Sequence, residues 1–336
     1  MNPKVKNDAF FEEDAAAPGG ARLHLKRLNR QAPHQGQQKA KFLADVAEHV
    51  DKVQVDMQQG FTPTFSPSEH ERFWTLNYLE EFYNNAIITD VLRKDKGGKE
   101  ANVYCCTAHP DTGLELIAAK LYRPRMFRNL RNDALYRQGR QLVDEDGKVS
   151  HARREALAIQ KKTRFGKELR QTSWLEAEYQ TLQLLEEAGA HVPKPLTHGS
   201  NVILMEYICD ITASAPTLKE VSLTRPEAQR VFDQLVEDIA IMLACHRVHA
   251  DLSAYNVLYW DGQFTIIDFP QAVDPRRNPD ACALFVRDVT RICQYFTRYR
   301  VTPDPLVLAN DLWGRYERSN ALDAQYDRAK EELIEG

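Results

Sequence analysis

The stretch that most restricts the fold of this chain runs from Thr224 to Gln271. Ala228, Val231, Leu235, Ile239, Met242 and Leu243 fall on one face, which predicts a long amphipathic helix over Thr224 to Val248. A polar loop follows, His249-Ala-Asp251-Leu-Ser-Ala-Tyr-Asn256, and then two short strands, Val257 to Trp260 and Phe264 to Asp268, joined by the hairpin dipeptide Asp261-Gly262. So short a hairpin returns its second strand beside its first, and Asp268 comes back to the loop that carries Asp251 and Asn256. Three oxygen-bearing side chains then converge. A carboxylate with a carboxamide is the hard-oxygen set that Mg²⁺ accepts while it keeps waters or substrate phosphates as its other ligands. Asp251 is left to orient or deprotonate a hydroxyl. Taken alone, Asp-x4-Asn is equally well read as a loop of Asx turns.

The upstream half adds a second pair. Strands are predicted at Ile87 to Leu92, Asn102 to Ala108 and Leu114 to Tyr122, an antiparallel meander, with Arg93 to Ala101 as a Gly/Lys loop. Alternation places Lys120 on the face of Leu114, Leu116, Ala118 and Tyr122, where a lysine needs a partner. A helix is predicted over Trp174 to Ala188, opened by a Ser173/Glu176 capping box and stopped by Gly189 and Pro193. Glu178 lies on its apolar stripe with Leu175, Leu182 and Leu185, and so points to the core. Each residue alone reads as well as an edge position whose charged head reaches water. A further strand is predicted at Val202 to Ile208.

Composition limits the rest. The 336 residues leave room for about two domains or lobes, and 44 basic against 48 acidic side chains give −4, no signature of a nucleic-acid-coating protein. No run approaches a spanning helix and the N-terminus does not read as a secretory signal, so a soluble, cytoplasmic protein without membrane partners is expected. The six cysteines sit in apolar segments without metal-ligand spacing, as reduced core thiols do. Residues 1–68 read as a largely disordered tail, with a helix expected around Ala40 to Val53. A Ser68/Glu71 capping box then opens a helix and the ordered domain. Residues 120–170 hold 15 Lys/Arg against 6 Asp/Glu, a local +9. That segment reads equally as a docking surface for an acidic partner or RNA and as a solvated basic loop and helix.

Three ordered motifs resemble the RIO family of atypical serine/threonine protein kinases, in the bacterial branch similar to the first RIO subfamily. They are Gly98-Lys-Glu-Ala-Asn-Val-Tyr104, His249 to Asn256, and Ile266-Ile-Asp268-Phe-Pro-Gln271. Trp174-x-x-x-Glu178 and Val192-Pro-x-Pro195 also fit, and the likeness covers about Thr89 to Arg298. Gly97 departs from it, standing where the family often has Ser or Thr.

The resemblance implies an α+β, two-lobed kinase fold: a tail over 1–68, an N-lobe with a flexible basic loop over 69–208, a truncated C-lobe over 209–302 and a helical extension over 303–336. Only 68 residues follow Asp268 and none reads Ala-Pro-Glu, so the activation segment and peptide-docking helices of ordinary protein kinases are not expected. By resemblance, ATP and Mg²⁺, with Mn²⁺ as a substitute, are the cofactors. Lys120 binds the α and β phosphates with Glu178 fixing it, Asp251 is the catalytic aspartate, and Asn256 and Asp268 hold the metal. Gly98, Lys99, Glu100 and Val103 cover the phosphates, and the backbone of Glu206 and Ile208, after the bulky Met205, receives adenine.

The expected activity is transfer of the ATP γ-phosphate to Ser or Thr hydroxyls of a protein substrate, itself included. An ATPase switch working through an aspartyl phosphate on a protein or ribonucleoprotein partner is the alternative, and a small-molecule phosphotransferase the third. RNA or a ribosomal particle stays open as a partner, with nothing in the sequence pointing to it.

Overall fold

In a computed structural model of the chain, the described residues are 61–66, 68–98, 101–122, 164–209 and 212–335. The expected helix around Ala40 to Val53, most of the basic segment, and Lys99 and Glu100 lie outside them. Among the described residues ahead of Ser68, Phe61 is buried, and the Phe65 N–H donates to the Val91 carbonyl at 2.8 Å.

Helix α1, Glu69–Asn84, buries Leu76, Leu79 and Phe82, spaced three apart on one face. Ser68 stands at its N-cap, but the expected capping box does not form, because its side chain makes no cap hydrogen bond. Glu71 has better partners. Its carboxylate takes the Lys94 ammonium and the Asn102 side-chain N–H, the latter at 3.2 Å. Glu71→Gln keeps the size and loses the ion pair, so a melting-temperature fall of about 2–4 °C is expected, consistent with about 1 kcal/mol for a half-exposed charged bond. Glu81→Gln, on the exposed face of the same helix, should melt with the parent.

Strand β1, Ile88–Gly97, runs five residues past its expected end, because Arg93 pairs with Asp95 at 2.6 Å and Lys94 with Glu71. Charges that read as a loop are absorbed by ion pairs on an edge strand. Strands β2, Ala101–Ala108, and β3, Leu116–Tyr122, continue the antiparallel meander. The turn between β1 and β2 is closed by the Gly98 N–H donating to the Ala101 carbonyl at 2.8 Å. A Cβ on Gly98 would lie 2.8 Å from that same oxygen, so the turn admits only glycine.

Helix α2, Arg164–Glu187, starts well before Ser173, so Ser173 lies inside the helix and not at its N-cap. Two strands complete the sheet: β4, Pro195–His198, and β5, Val202–Glu206, in the order β1-β2-β3-β5-β4. The β4 strand was not anticipated. Its proline is its first residue and it sits at the sheet edge, where a missing N–H costs no ladder bond.

Helix α3, Arg225–Ala244, opens on a capping box of Thr224 and Glu227 and buries the stripe from Ala228 to Leu243. The hairpin of β6, Val257–Trp260, and β7, Gln263–Ile266, turns at Asp261 and Gly262, whose φ values of 47° and 77° suit a two-residue primed turn. Helices α4, Ala281–Phe296, and α5, Pro305–Glu335, close the chain. Leu235, Ile239, Val257, Ile266, Phe269, Val289 and Phe296 make the centre of the helical core.

Among the cysteines, Cys105, Cys106 and Cys293 are buried, while Cys282 is exposed, against the expectation of a core thiol. No helix of the described residues is long and apolar enough to cross a membrane.

Candidate active site

Lys120 stands in β3 between Val103 of β2 and Ile203 of β5. Only 8% of the residue is exposed. Its Nζ donates to Glu178 Oε1 and to Asp268 Oδ1, both at 2.7 Å, and lies 5.4 Å from the Tyr122 ring centroid. An ammonium has three N–H donors, so one is left over. Glu178, 2% exposed, reaches this point from α2, and its Oε1 also accepts the Phe269 N–H at 3.3 Å. The second oxygen, Oε2, is buried without a partner.

The electrostatics follow. Burial works against the Lys120 charge, but Asp268 and Glu178 outweigh it and raise its pKa. Burial pushes the Glu178 carboxyl up, with the Lys120 ammonium pulling the other way. Partial loss of hydration would raise Asp268 too, although its side chain stays 44% exposed, yet Lys120 holds it below the usual carboxylate range. Lys96, at the far end of β1, adds to that pull, a contribution the sequence reading missed.

The loop after α3 is fixed by main-chain contacts. The His249 ring accepts the Asp251 N–H at Nδ1, 3.3 Å, and meets the Ile267 carbonyl at Nε2, 3.1 Å, which together define the Nε2–H tautomer. Asn256 Nδ2 donates to the Asp251 carbonyl at 2.9 Å, and the Ile267 N–H donates to the Asn256 carbonyl at 2.9 Å. The loop and the end of the hairpin are thereby stitched together, so that Asp251, Asn256 and Asp268 are held on neighbouring backbone. Ala250 and Asp268 have φ of 62° and 75°. Left-handed backbone beside two of the three polar side chains is strain of the kind that gathers at functional sites. Asp288 of α4, 3% exposed, lies behind the loop, its Oδ1 3.4 Å from Arg287 Nη2, the guanidinium nitrogen that also donates to the Ala250 carbonyl.

Asn256 Oδ1 and Asp268 Oδ2 are left as oxygen acceptors. They suit a hard divalent cation that takes its remaining ligands from water and substrate. No group of three or more His, Cys, Asp or Glu side chains able to hold a metal occurs among the described residues.

Asp251 is half-exposed, and its Oδ1 lies 3.0 Å from Arg291 Nη1 of α4. Nothing local in the sequence signals that pairing, which spans 40 residues. Of the expected phosphate-covering residues, Val103 stands beside Lys120 and Gly98 forms the turn, while Lys99 and Glu100 lie outside the described residues. Met205 is buried between Ala118 and Pro195. Beyond it the Glu206 N–H donates to Lys194, 2.8 Å, and the Ile208 carbonyl accepts from Ala215, 3.3 Å. An adenine would have to use the opposite groups, the Glu206 carbonyl and the Ile208 N–H.

The RIO domain family model matches residues 102–307. The RIO-type serine/threonine-protein kinase Rio1 of Thermoplasma acidophilum is 34% identical over 132 residues, 39% of this chain and 68% of that one. The serine/threonine-protein kinase rio1 of Schizosaccharomyces pombe is 28% identical over 222 residues, 66% of this chain and 41% of that one. The RIO-type serine/threonine-protein kinase Rio1 of Haloferax volcanii is 28% identical over 209 residues, 62% of this chain and 63% of that one. Alignments with the relatives from S. pombe and H. volcanii thus cover less than two thirds of those proteins' lengths.

Proposed function

The chain belongs to the RIO domain family and has its α+β, kinase-like fold, and from that premise we propose that it transfers the γ-phosphate of ATP to serine or threonine hydroxyls of a protein, with a divalent cation. The observation that carries the reading is the Lys120 ammonium bonded to both Glu178 and Asp268 at 2.7 Å. In this reading residues 69–208 are the N-lobe, 209–302 the C-lobe and 303–336 a helical extension.

Asn256 and Asp268 would hold Mg²⁺, which neutralises charge developing on the phosphate oxygens. Lys120 points its third N–H at the α and β phosphates. If it releases Asp268 to the cation, Glu178 still anchors it, with Oε2 available as a second acceptor. Asp251 accepts the proton of the acceptor hydroxyl as that oxygen bonds to the γ-phosphorus, while the bond to the β,γ-bridging oxygen breaks and ADP departs.

A second reading has one observation in its favour. The Asp268 side chain is 44% exposed and one of its oxygens is unbonded, as a transient phosphate acceptor in an ATPase switch would need. Incubation with ATP labelled at the γ position, Mg²⁺ and the full chain separates the two. The kinase reading expects label on Ser or Thr, stable to hydroxylamine. Hydroxylamine-labile label with release of inorganic phosphate would favour the switch, and label that stays in ATP would sink both.

A further inference from the structure

Residues 287, 291, 295 and 299 of α4 and of the 3-10 turn that extends it form one ridge at intervals of four, with Tyr295 buried within it. Three of them brace main chain. Arg287 donates to the Ala250 carbonyl, the Tyr295 hydroxyl to the Leu218 carbonyl, and the Tyr299 hydroxyl to the Val221 carbonyl at 3.3 Å. Arg291 is different. Its Nη1 meets a side-chain carboxylate, Asp251 Oδ1 at 3.0 Å, with the two side chains 41% and 42% exposed.

A guanidinium carries five N–H donors, and only one of Arg291's is engaged among the described residues. An ion pair so open to water is worth about 0–1 kcal/mol and exchanges readily with other anions. The planar fork that remains suits bidentate recognition of a second carboxylate. A second cation stands beside the Asp251 loop from another stretch of chain, since Lys219 Nζ lies 5.9 Å from the ring centroid of Tyr255, whose side chain is exposed. The carboxylate that Arg291 now holds is the one assigned to the acceptor hydroxyl's proton. An anion that displaced it would therefore sit within a residue or two of that hydroxyl, and would free Asp251 for its task.

We infer that Arg291 determines acceptor specificity: it takes a peptide in which an aspartate or glutamate lies next to the serine or threonine, exchanging Asp251 for the peptide's carboxylate. This rests on the phosphoryl-transfer reading for its purpose, but its test does not need transfer. The probe is a fluorescein-labelled peptide with one serine flanked by glutamates, and its glutamine counterpart, titrated with the full chain in the absence of nucleotide and followed by anisotropy.

The parent should bind the glutamate peptide about threefold to fivefold more tightly than the glutamine one. Arg291→Ala should bring the two affinities together, and Arg291→Lys, which keeps charge but loses the fork, should fall between. Circular dichroism checks folding, and if Arg291→Ala fails to fold, Arg291→Lys decides. No binding of either peptide by the parent, equal affinities, or a preference that survives Arg291→Ala overturns the inference. So would a loss in Arg291→Ala of affinity for ATP instead of peptide, which would make the residue a nucleotide contact. Arg291-dependent binding without any label transfer refutes the kinase reading and leaves the docking site standing. Transfer with equal peptide affinities does the reverse.

Discussion

Asp268→Asn is expected to abolish phosphoryl transfer at every ATP concentration while the protein stays folded. Asparagine is nearly the same size and tolerates left-handed backbone almost as well as aspartate, so the φ of 75° adds no new strain. The carboxylate is 44% exposed and Lys120 retains Glu178, so little stability is at stake. What is lost is the anionic ligand of the cation, in a reaction where positioning and charge neutralisation supply most of the rate. Residual activity above about a tenth, which is about 1.4 kcal/mol in the barrier, would contradict the assignment. The measurement is initial rate over a range of ATP concentrations that reaches saturation.

Glu178→Gln should be the more damaging change to the protein as a whole. Glu178 is 2% exposed and supplies the oxygen that both Lys120 and the Phe269 N–H use. Breaking a buried pair by removing one partner costs about 3–5 kcal/mol, and here somewhat less because Asp268 also holds the ammonium. Transfer should fall at least tenfold and melting should come earlier. Glu176→Gln is the control from the same helix. Its carboxylate accepts from Gln180 at 2.7 Å and pairs with His198 at 3.1 Å, contacts worth about 1 kcal/mol each. Should Glu176→Gln prove the worse variant in a paired melting and activity series, the assignment of inward and outward faces on α2 would be reversed.

Helical and hairpin geometry make part of the site legible in the sequence. Glu178 was found because a helix has a fixed period, so a charged residue three and four places from leucines must share their burial. The loop from His249 to Asn256 and the hairpin behind it were legible for a similar reason, since a two-residue turn leaves one geometry for the returning strand. The misreadings at Ser68 and at Ser173 have one cause: a capping box is a local pattern, and it yields when a better partner or more helix lies outside the window. Glu71 found Lys94 and Asn102 on the sheet, and α2 begins at Arg164. The β4 strand was hidden by prolines that also mark helix ends. The Arg291 contact with Asp251 had no local signal at all, because it depends on how α4 docks against the loop.

The ridge of α4 also ties cooperative units together. Arg287, Arg291, Tyr295 and Tyr299 hold the 250–251 loop and the 218–221 stretch from a single helix, and the Leu223 N–H donates to Tyr299 at 3.4 Å. Detachment of that helix releases all of these contacts at once, which couples the opening of the loop with Asp251 to that of the passage that carries Lys219. A fluctuation that unfastens α4 exposes both together, and a ligand that orders one slows amide exchange in the other, so these neighbouring stretches share a single opening event.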